Sequence, residues 1–328
     1  MMDVRDIFRS SFARALAALL FVVLIGALFN AEGAFFRWDT HRDMLRHISV
    51  FGILACGMTL VIITAGIDLS VGSLVGFSAV LFSILSLQKA WSPWLAIPAC
   101  LAAGFLCGLT SGSLVARFRI QPFIATLAMM VFARGLAKWV SGGKKISMAV
   151  LQPDGTYKYT EAPPVFDVVN AKILGENIAV VTLIFLACVF LCWVILSKMR
   201  WGRYLYAVGG NEEASRLSGV PVAATKLFAY GTSGLFAAVA GICQAAQELQ
   251  GDPEAGAAYE LTAIAIVVIG GTSLMGGRGS IGLTFVGAMT IGTLEKILSI
   301  NAVGEASRLM LTGAIIVGAV LFQMARKR

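Results

Sequence analysis

The sequence predicts an all-α polytopic membrane protein of about ten transmembrane helices with both termini in the cytoplasm. Hydrophobic residues make up 58% of the 328-residue chain and charged residues 13%. Mean hydropathy is +0.83, outside the range of a soluble globular domain. Apolar runs long enough to cross a bilayer recur along the whole length. Lys and Arg favour one set of the loops between them.

Taken in order, the spans fall at about 13–30, 46–65, 69–87, 93–116, 122–140, 178–197, 226–247, 259–275, 281–299 and 306–324. Arg5, Arg9 and Arg14 flank the first run as they would a signal peptide. It lacks a small-residue cleavage site and nine spans follow it, so an uncleaved helix is expected. Arg117, Arg119, Lys198, Arg200, Arg203, Arg216, Lys226, Arg278 and the terminal Arg326, Lys327 and Arg328 then lie on one side, the cytoplasmic one. The net charge of +8 is scattered between apolar runs, so orientation explains it and no nucleic-acid partner is expected. Cys56, Cys100, Cys107, Cys188, Cys192 and Cys243 all fall in apolar runs without ligand spacing and read as small core residues. His41 and His47 have no ligand set around them, so no metal site is expected.

Two loops carry detail. The external loop, about 141–177, contains strand-like runs at 146–152 and 156–160 joined through Pro153-Asp154-Gly155, a hairpin signal. Pro163-Pro164 stiffens its return. This loop reads either as a solvated connector or as a docking surface for an extracytoplasmic partner. The cytoplasmic loop, about 198–226, contains a short polar helix. Asn211 is its N-cap, Glu212 and Glu213 occupy the first turn, Gly219 is the C′ residue, and Pro221 stops continuation. Ala214 and Leu217, three apart, give it a small apolar stripe. Two turns of helix are not stable alone in water. The feature reads as a peg for a soluble partner.

Three stretches place polar groups near membrane depth. Asp68, between the second and third spans, needs a partner or a polar cavity; alternatively it caps the third helix through the amides of Ser70 or Val71. Gly72 and Gly76, and Gly104, Gly108 and Gly112, have the spacing of small-residue helix contacts. The stretch from Gly270 to Ser280 runs into a G-x-G-x-x-G of Gly277, Gly279 and Gly282, but no strand precedes it, and no lysine followed by Ser or Thr makes it a P-loop. It is expected to be a tight cytoplasmic turn of Gly276, Gly277, Arg278 and Gly279, with Arg278 at the lipid interface or on a partner. Glu295 and Lys296 are adjacent in the ninth span, about 100° apart on the helix, so they are not expected to pair on one face. Either one lines a polar cavity while the other snorkels or reaches a neighbour, or both sit at the external interface.

GIDLSVGS (66–73), PFIATLAMMVFARGLA (122–137), GRYLYAVGGNEEASRLSGV (202–220) and IGGTSLMGGRGSIG (269–282) resemble, in order and over nearly the whole chain, the permease subunits of ribose-type sugar ABC importers. The resemblance implies a single transmembrane permease domain, 1–328, in a bacterial inner membrane. It would dimerise with a second copy or a paralogue in the lipid, bind a cytoplasmic ABC ATPase, and receive a monosaccharide from an extracytoplasmic sugar-binding protein. The loop at 202–220 would dock into the ATPase, through Arg203, Gly209, Asn211, Glu212, Glu213, Ala214, Arg216, Leu217 and Gly219. Asp68, Ser70, Thr126 and Glu295 are the pathway candidates. No cofactor is expected, and with no Walker A sequence ATP hydrolysis falls to the partner.

The chain departs from that pattern at Glu295-Lys296, where family members often carry an Asn pair, and in the 146–160 hairpin, which looks like an insertion. Alternatives are a permease for nucleosides or branched-chain amino acids, disfavoured by GIDLSVGS and GGRGS, and, in another class, an ion channel or a membrane enzyme. An enzyme would need paired carboxylates or clustered histidines at membrane depth; a channel would need no ATPase peg.

Overall fold

A chain crossing a bilayer must satisfy its backbone internally, which favours helices. The computed structural model follows that rule over the residues it describes, 11–151, 156–159, 161–304, 306–308, 310–311 and 313–314. The helices are α1 (Ser11–Leu28), α2 (Trp38–Ile63), α3 (Val71–Ser83, continued by a π-helical turn over Ile84–Gln88), α4 (Pro93–Ala116), α5 (Pro122–Ser141), α6 (Pro164–Asn170), α7 (Val180–Lys198), α8 (Arg200–Gly210), α9 (Glu212–Leu217), α10 (Val222–Glu248), α11 (Tyr259–Ile269) and α12 (Ile281–Ile300). Among the described residues, α2, α3 with its π turn, α4, α5, α7, α10 and α12 are long and apolar enough to cross a membrane. Two further apolar helices, over Phe12–Leu28 and Tyr259–Ile269, are shorter. The tenth expected span, 306–324, and the basic C-terminus lie largely outside the described residues.

Helix α10 is the hub and packs on α2, α3 and α4. Glycine spacing sets its closest contact. Gly104, Gly108 and Gly112 bring the α4 backbone against Gly234, Tyr230 and Leu227 of α10, and a Cβ on Gly108 would strike the Tyr230 carbonyl. This is the expected small-residue contact. Gly72 and Gly76 serve another purpose. They face the carbonyls of Gly256, Ala255 and Pro253, which belong to no helix.

That contact belongs to a correction. The eighth expected span, 259–275, is helical only over Tyr259–Ile269. Before it, the chain leaves α10 at Leu249 (φ 53°) and passes along α3, with Gly251 beside Ala79 and Val80 and Gly256 beside Gly72. Glycines at 251 and 256 with Pro253 between them disfavour helix in this stretch. Non-helical backbone packed along a spanning helix needs donors from the protein. Arg134 of α5 supplies them, donating from Nη1 to the carbonyls of Pro253 and Ala255, the latter at 2.8 Å. An arginine that the sequence left inside a span is thereby accounted for.

The 141–177 segment is also more structured than expected. β2 (Ala149–Leu151) and β3 (Tyr157–Tyr159) pair antiparallel as the predicted hairpin; its Pro153-Asp154-Gly155 turn lies outside the described residues. β1 (Ile146–Ser147) does not join that hairpin. It pairs with β6 (Gln250–Gly251), at the head of that non-helical segment. Lys138 and Lys145 reinforce this seam through Glu254 at 2.6 Å and Asp252 at 2.9 Å. Pro164 opens α6 at its first turn, where proline is tolerated, and β4 (Lys172–Ile173) pairs with β5 (Ile178–Ala179) before α7.

Candidate functional site

At one end of the helices the short polar helix forms as its sequence requires. The Asn211 side chain accepts from the Ala214 amide at 2.9 Å. At the other terminus Val220 N donates to Ser215 O and Gly219 N to Arg216 O, with Gly219 at φ 82°, the paired bonds of a Schellman ending. Glu213 and Arg216 pair on the surface at 2.5 Å, and the bond from Arg216 holds the Glu213 carboxyl below its ordinary value. Glu212 instead reaches Lys226 of α10 at 2.7 Å. Ala214 is exposed and Leu217 is 77% exposed, so the apolar stripe has no covering partner among the described residues.

The residues before α9 form a second helix that the sequence reading missed. In α8, Gly202, Leu205, Val208 and Gly209 are buried while Arg203 is exposed. The 202-205-208 spacing was the available signal. Gly209 is wedged at the end of α2, where a Cβ would collide with the Ile63 carbonyl. That same carbonyl accepts from Gly277 N at 2.9 Å. Gly276 and Gly277 take left-handed conformations (φ 79° and 70°) that L side chains rarely adopt. Tyr206 of α8 donates to Gly279 O at 2.9 Å, and Arg278 is exposed. The loop carrying the polar helix and the glycine turn thus meet on the last residue of α2.

The 66–73 stretch begins at the same place. Asp68 is fully buried. Its Oδ1 accepts from the amide and hydroxyl of Ser70 at 3.0 and 2.6 Å, and its Oδ2 from the Ser233 hydroxyl of α10 at 2.8 Å. The amide bond is an Asx turn leading into α3, and the Ser233 bond supplies the partner that a buried carboxylate requires. Thr126 of α5, also fully buried, donates to Ile67 O at 3.3 Å and Pro122 O at 2.9 Å. Ser70 is fully buried as well. Asp68, Ser70 and Thr126 therefore lock α3, α5 and α10 together, and they do not line the cavity that Glu295 enters.

Glu295 is placed differently. It lines a cavity of about 370 Å³ at the opposite end of α2, with Asp43, Arg46 and His47 of α2, Gln247 of α10, and Lys296 of α12. Glu295 Oε2 lies 3.8 Å from His47 Nδ1, and Lys296 Nζ lies 4.0 Å from Asp43 Oδ2. Glu295 thus lines a polar cavity while Lys296 reaches a neighbouring helix, and both address α2 despite their separation around α12. Asp43 and His47 are one turn apart, so two side chains diverging from α12 each find a partner on α2. The sequence reading named neither partner, because the pairing spans some 250 residues of chain.

All six cysteines are free, Cys107 half-buried and the others buried. Among the described residues no group of three or more His, Cys, Asp or Glu side chains has the arrangement of a metal site.

No solved structure matches the chain. The chain is 39% identical over 309 residues to the ribose import permease protein RbsC of Escherichia coli (strain K12), covering 94% of this chain and 92% of that one. It is 35% identical to the fructose import permease protein FrcC of Rhizobium meliloti, over 93% and 81% of the two chains. It is 34% identical to the L-arabinose transport system permease protein AraH of Escherichia coli (strain K12), over 86% and 81%. Residues 42–320 match the model of the branched-chain amino acid transport system / permease component family. Match and relatives span the helices that meet at both ends of α2, and the chain belongs to that permease family.

Proposed function

We propose that this chain is the membrane-spanning subunit of an ATP-binding-cassette importer for a monosaccharide, a transport subunit rather than an enzyme. The reading rests on relatives that import ribose, fructose and L-arabinose. The observation that carries the mechanism is the joint at the end of α2. There a capped helix with an exposed apolar stripe is wired through Gly209, Gly277 and Tyr206 into the membrane helices. A partner gripping Ala214 and Leu217 would move α2 and α10 together. The partner is a cytoplasmic ABC ATPase, bound to a dimer of two such chains or of this chain and a paralogue.

Orientation follows from charge. The joint end carries Arg117, Arg119, Lys198, Arg200, Arg203, Arg216, Lys226 and Arg278, against Arg37, Arg42, Arg46, Lys89, Lys138, Lys144, Lys145, Lys158 and Lys172 on the other side, several of them in the one long loop that counts for less. Both termini would then be cytoplasmic, with ten spans in a bacterial inner membrane. The 141–177 segment and the Glu295 cavity face outward, towards a sugar-binding protein. Rigid-body movement of α2 and α10 opens the path to one side at a time. Glu295 is placed in that path, where its carboxylate accepts hydrogen bonds from sugar hydroxyls. Co-purification with the cognate ATPase, combined with uptake of ribose, fructose or arabinose in cells supplying the binding protein, tests the reading. Absence of both would overturn it.

A further inference from the structure

Below the Glu295 cavity, polar groups continue into the membrane along the seam of α2, α10 and α11. Helix α10 stops short of the Trp38 end of α2. Gln247 Nε2 donates to Arg46 O at 3.3 Å, and Arg46 lies about 12 Å along α2 from Trp38. The last turn of α10 therefore presents its polar side chains at membrane depth, where Gln244 donates to Glu248. Beside them α11 begins at Tyr259. The Tyr259 ring packs on Phe51 of α2 at 4.4 Å, and Phe51 packs on His47 of the cavity wall at 5.5 Å. Phe51 is midway along α2, about 20 Å from Trp38. The Tyr259 hydroxyl meets the Gln244 side chain, with the Glu248 and Glu295 carboxylates near it. Tyr259 and Gln244 are half-buried and Glu248 is exposed.

A carboxylate at this depth does not face lipid; it faces the bundle interior or a water-filled cavity. Secondary transporters build substrate sites at a similar place, the midplane end of an interrupted helix. We propose that Tyr259, Gln244 and Glu248 form a second station of the translocation path, where the monosaccharide leaving the Glu295 cavity past Phe51 is held midway across the membrane. The proposal deepens the transport reading and rests on it for the ligand. Glu248 accepts from a sugar hydroxyl, the Gln244 amide can both donate and accept, and the Tyr259 ring covers sugar C–H groups while its hydroxyl bonds a neighbouring oxygen. The path thus follows α2 and α10, the two helices that the glycine joint would move.

The transport arm of the test uses the complete importer in liposomes, with ribose, fructose or arabinose on the binding protein. Uptake and ATP hydrolysis are measured together in Tyr259→Phe, which keeps the ring against Phe51. Uptake is expected to fall about 2- to 12-fold, the range of one neutral hydrogen bond, while hydrolysis stimulated by the loaded binding protein is kept. Unchanged uptake, or equal loss of uptake and hydrolysis, overturns the role of Tyr259. A second arm is independent of transport. Gln244→Cys and Glu248→Cys, in lipid nanodiscs, are treated with a hydrophilic methanethiosulfonate and compared with wild type and with Phe190→Cys, at an exposed position on α7. A thiol reacts where water ionises it. Faster reaction at 244 and 248 than at 190 supports a watered path even if none of the three sugars is carried, an outcome that would fault only the transport reading. Reaction no faster than at 190 overturns the path itself.

Discussion

Glu295 and His47 stand 3.8 Å apart and Lys296 and Asp43 4.0 Å apart, separations at which a hydroxyl group can bridge partners that hardly touch. If Glu295 receives a sugar hydroxyl, the bond is charge-assisted, worth roughly 1.5–3 kcal/mol. Glu295→Gln is then expected to change uptake or selectivity by more than about tenfold at unchanged membrane abundance. Lys296→Met is expected to act mainly through assembly. Uptake kinetics beside quantified membrane protein separate the two, and unchanged uptake in Glu295→Gln would leave that residue as an interfacial charge. Arg134 offers a cleaner stability test. Its guanidinium donates to two carbonyls of the non-helical segment after α10, so Arg134→Met is expected to cost roughly 2–4 kcal/mol, read as a lower midpoint of thermal unfolding in detergent. Both sites show which part of a residue's role is legible in sequence. A charge within an apolar run announces that it must have a partner; the partner's identity is a fact of tertiary structure.

Elements whose signals are local were legible. Asn211, Gly219 and Pro221 bound a helix by chemistry acting within a few residues, and α9 has those boundaries. The stretch of turns after α10 was hidden, because an apolar run continuing to about 275 outweighs the Gly and Pro punctuation before it. Ala214→Pro removes the amide that Asn211 caps, a loss of about 1 kcal/mol. With so little else holding two turns of helix, uptake is expected to fall while the membrane helices stay folded. Normal uptake with retained ATPase association would refute the coupling role. Gly209→Ala forces a methyl group into the Ile63 carbonyl, an overpacking cost of about 1–3 kcal/mol, and is expected to leave ATP hydrolysis poorly coupled to uptake. On the β1–β6 seam, partial burial pushes the Asp252 carboxyl up, but the bonds from Lys145 and the Glu254 amide outweigh it and hold the carboxyl below its ordinary value. Its contribution is therefore present above the usual carboxylate pKa, about 4, and is lost as pH falls through the lowered value. Wild type and Asp252→Asn should differ in thermal midpoint at pH 7 and converge in stronger acid.

At the scale of the molecule, α2 joins the two candidate sites, from Asp43 and His47 in one cavity to Ile63 under the glycine joint. The class was legible because composition and span spacing are properties of the whole chain. The convergence of four separated motifs on one helix end was not, since nothing in the 66–73 or 269–282 stretches names the other. Convergence also makes orientation a single question, because the loops at 64–70, 117–121, 199–221 and 270–280 share one end of the helices. Tryptophans mark the interfaces and not the side: Trp38, Trp91, Trp94 and Trp139 are exposed near the opposite end and Trp193 near the joint end, as belts form at both interfaces. If the joint end is cytoplasmic, a cysteine replacing exposed Leu174 in the β4–β5 turn should react with a membrane-impermeant maleimide in intact cells. A cysteine at Glu212 should react only after permeabilisation. The native thiols contribute little background, since five are buried and Cys107 is half-buried. Labelling at position 212 in intact cells, or protection at position 174, would invert the orientation and remove the ATPase from the face that carries α9.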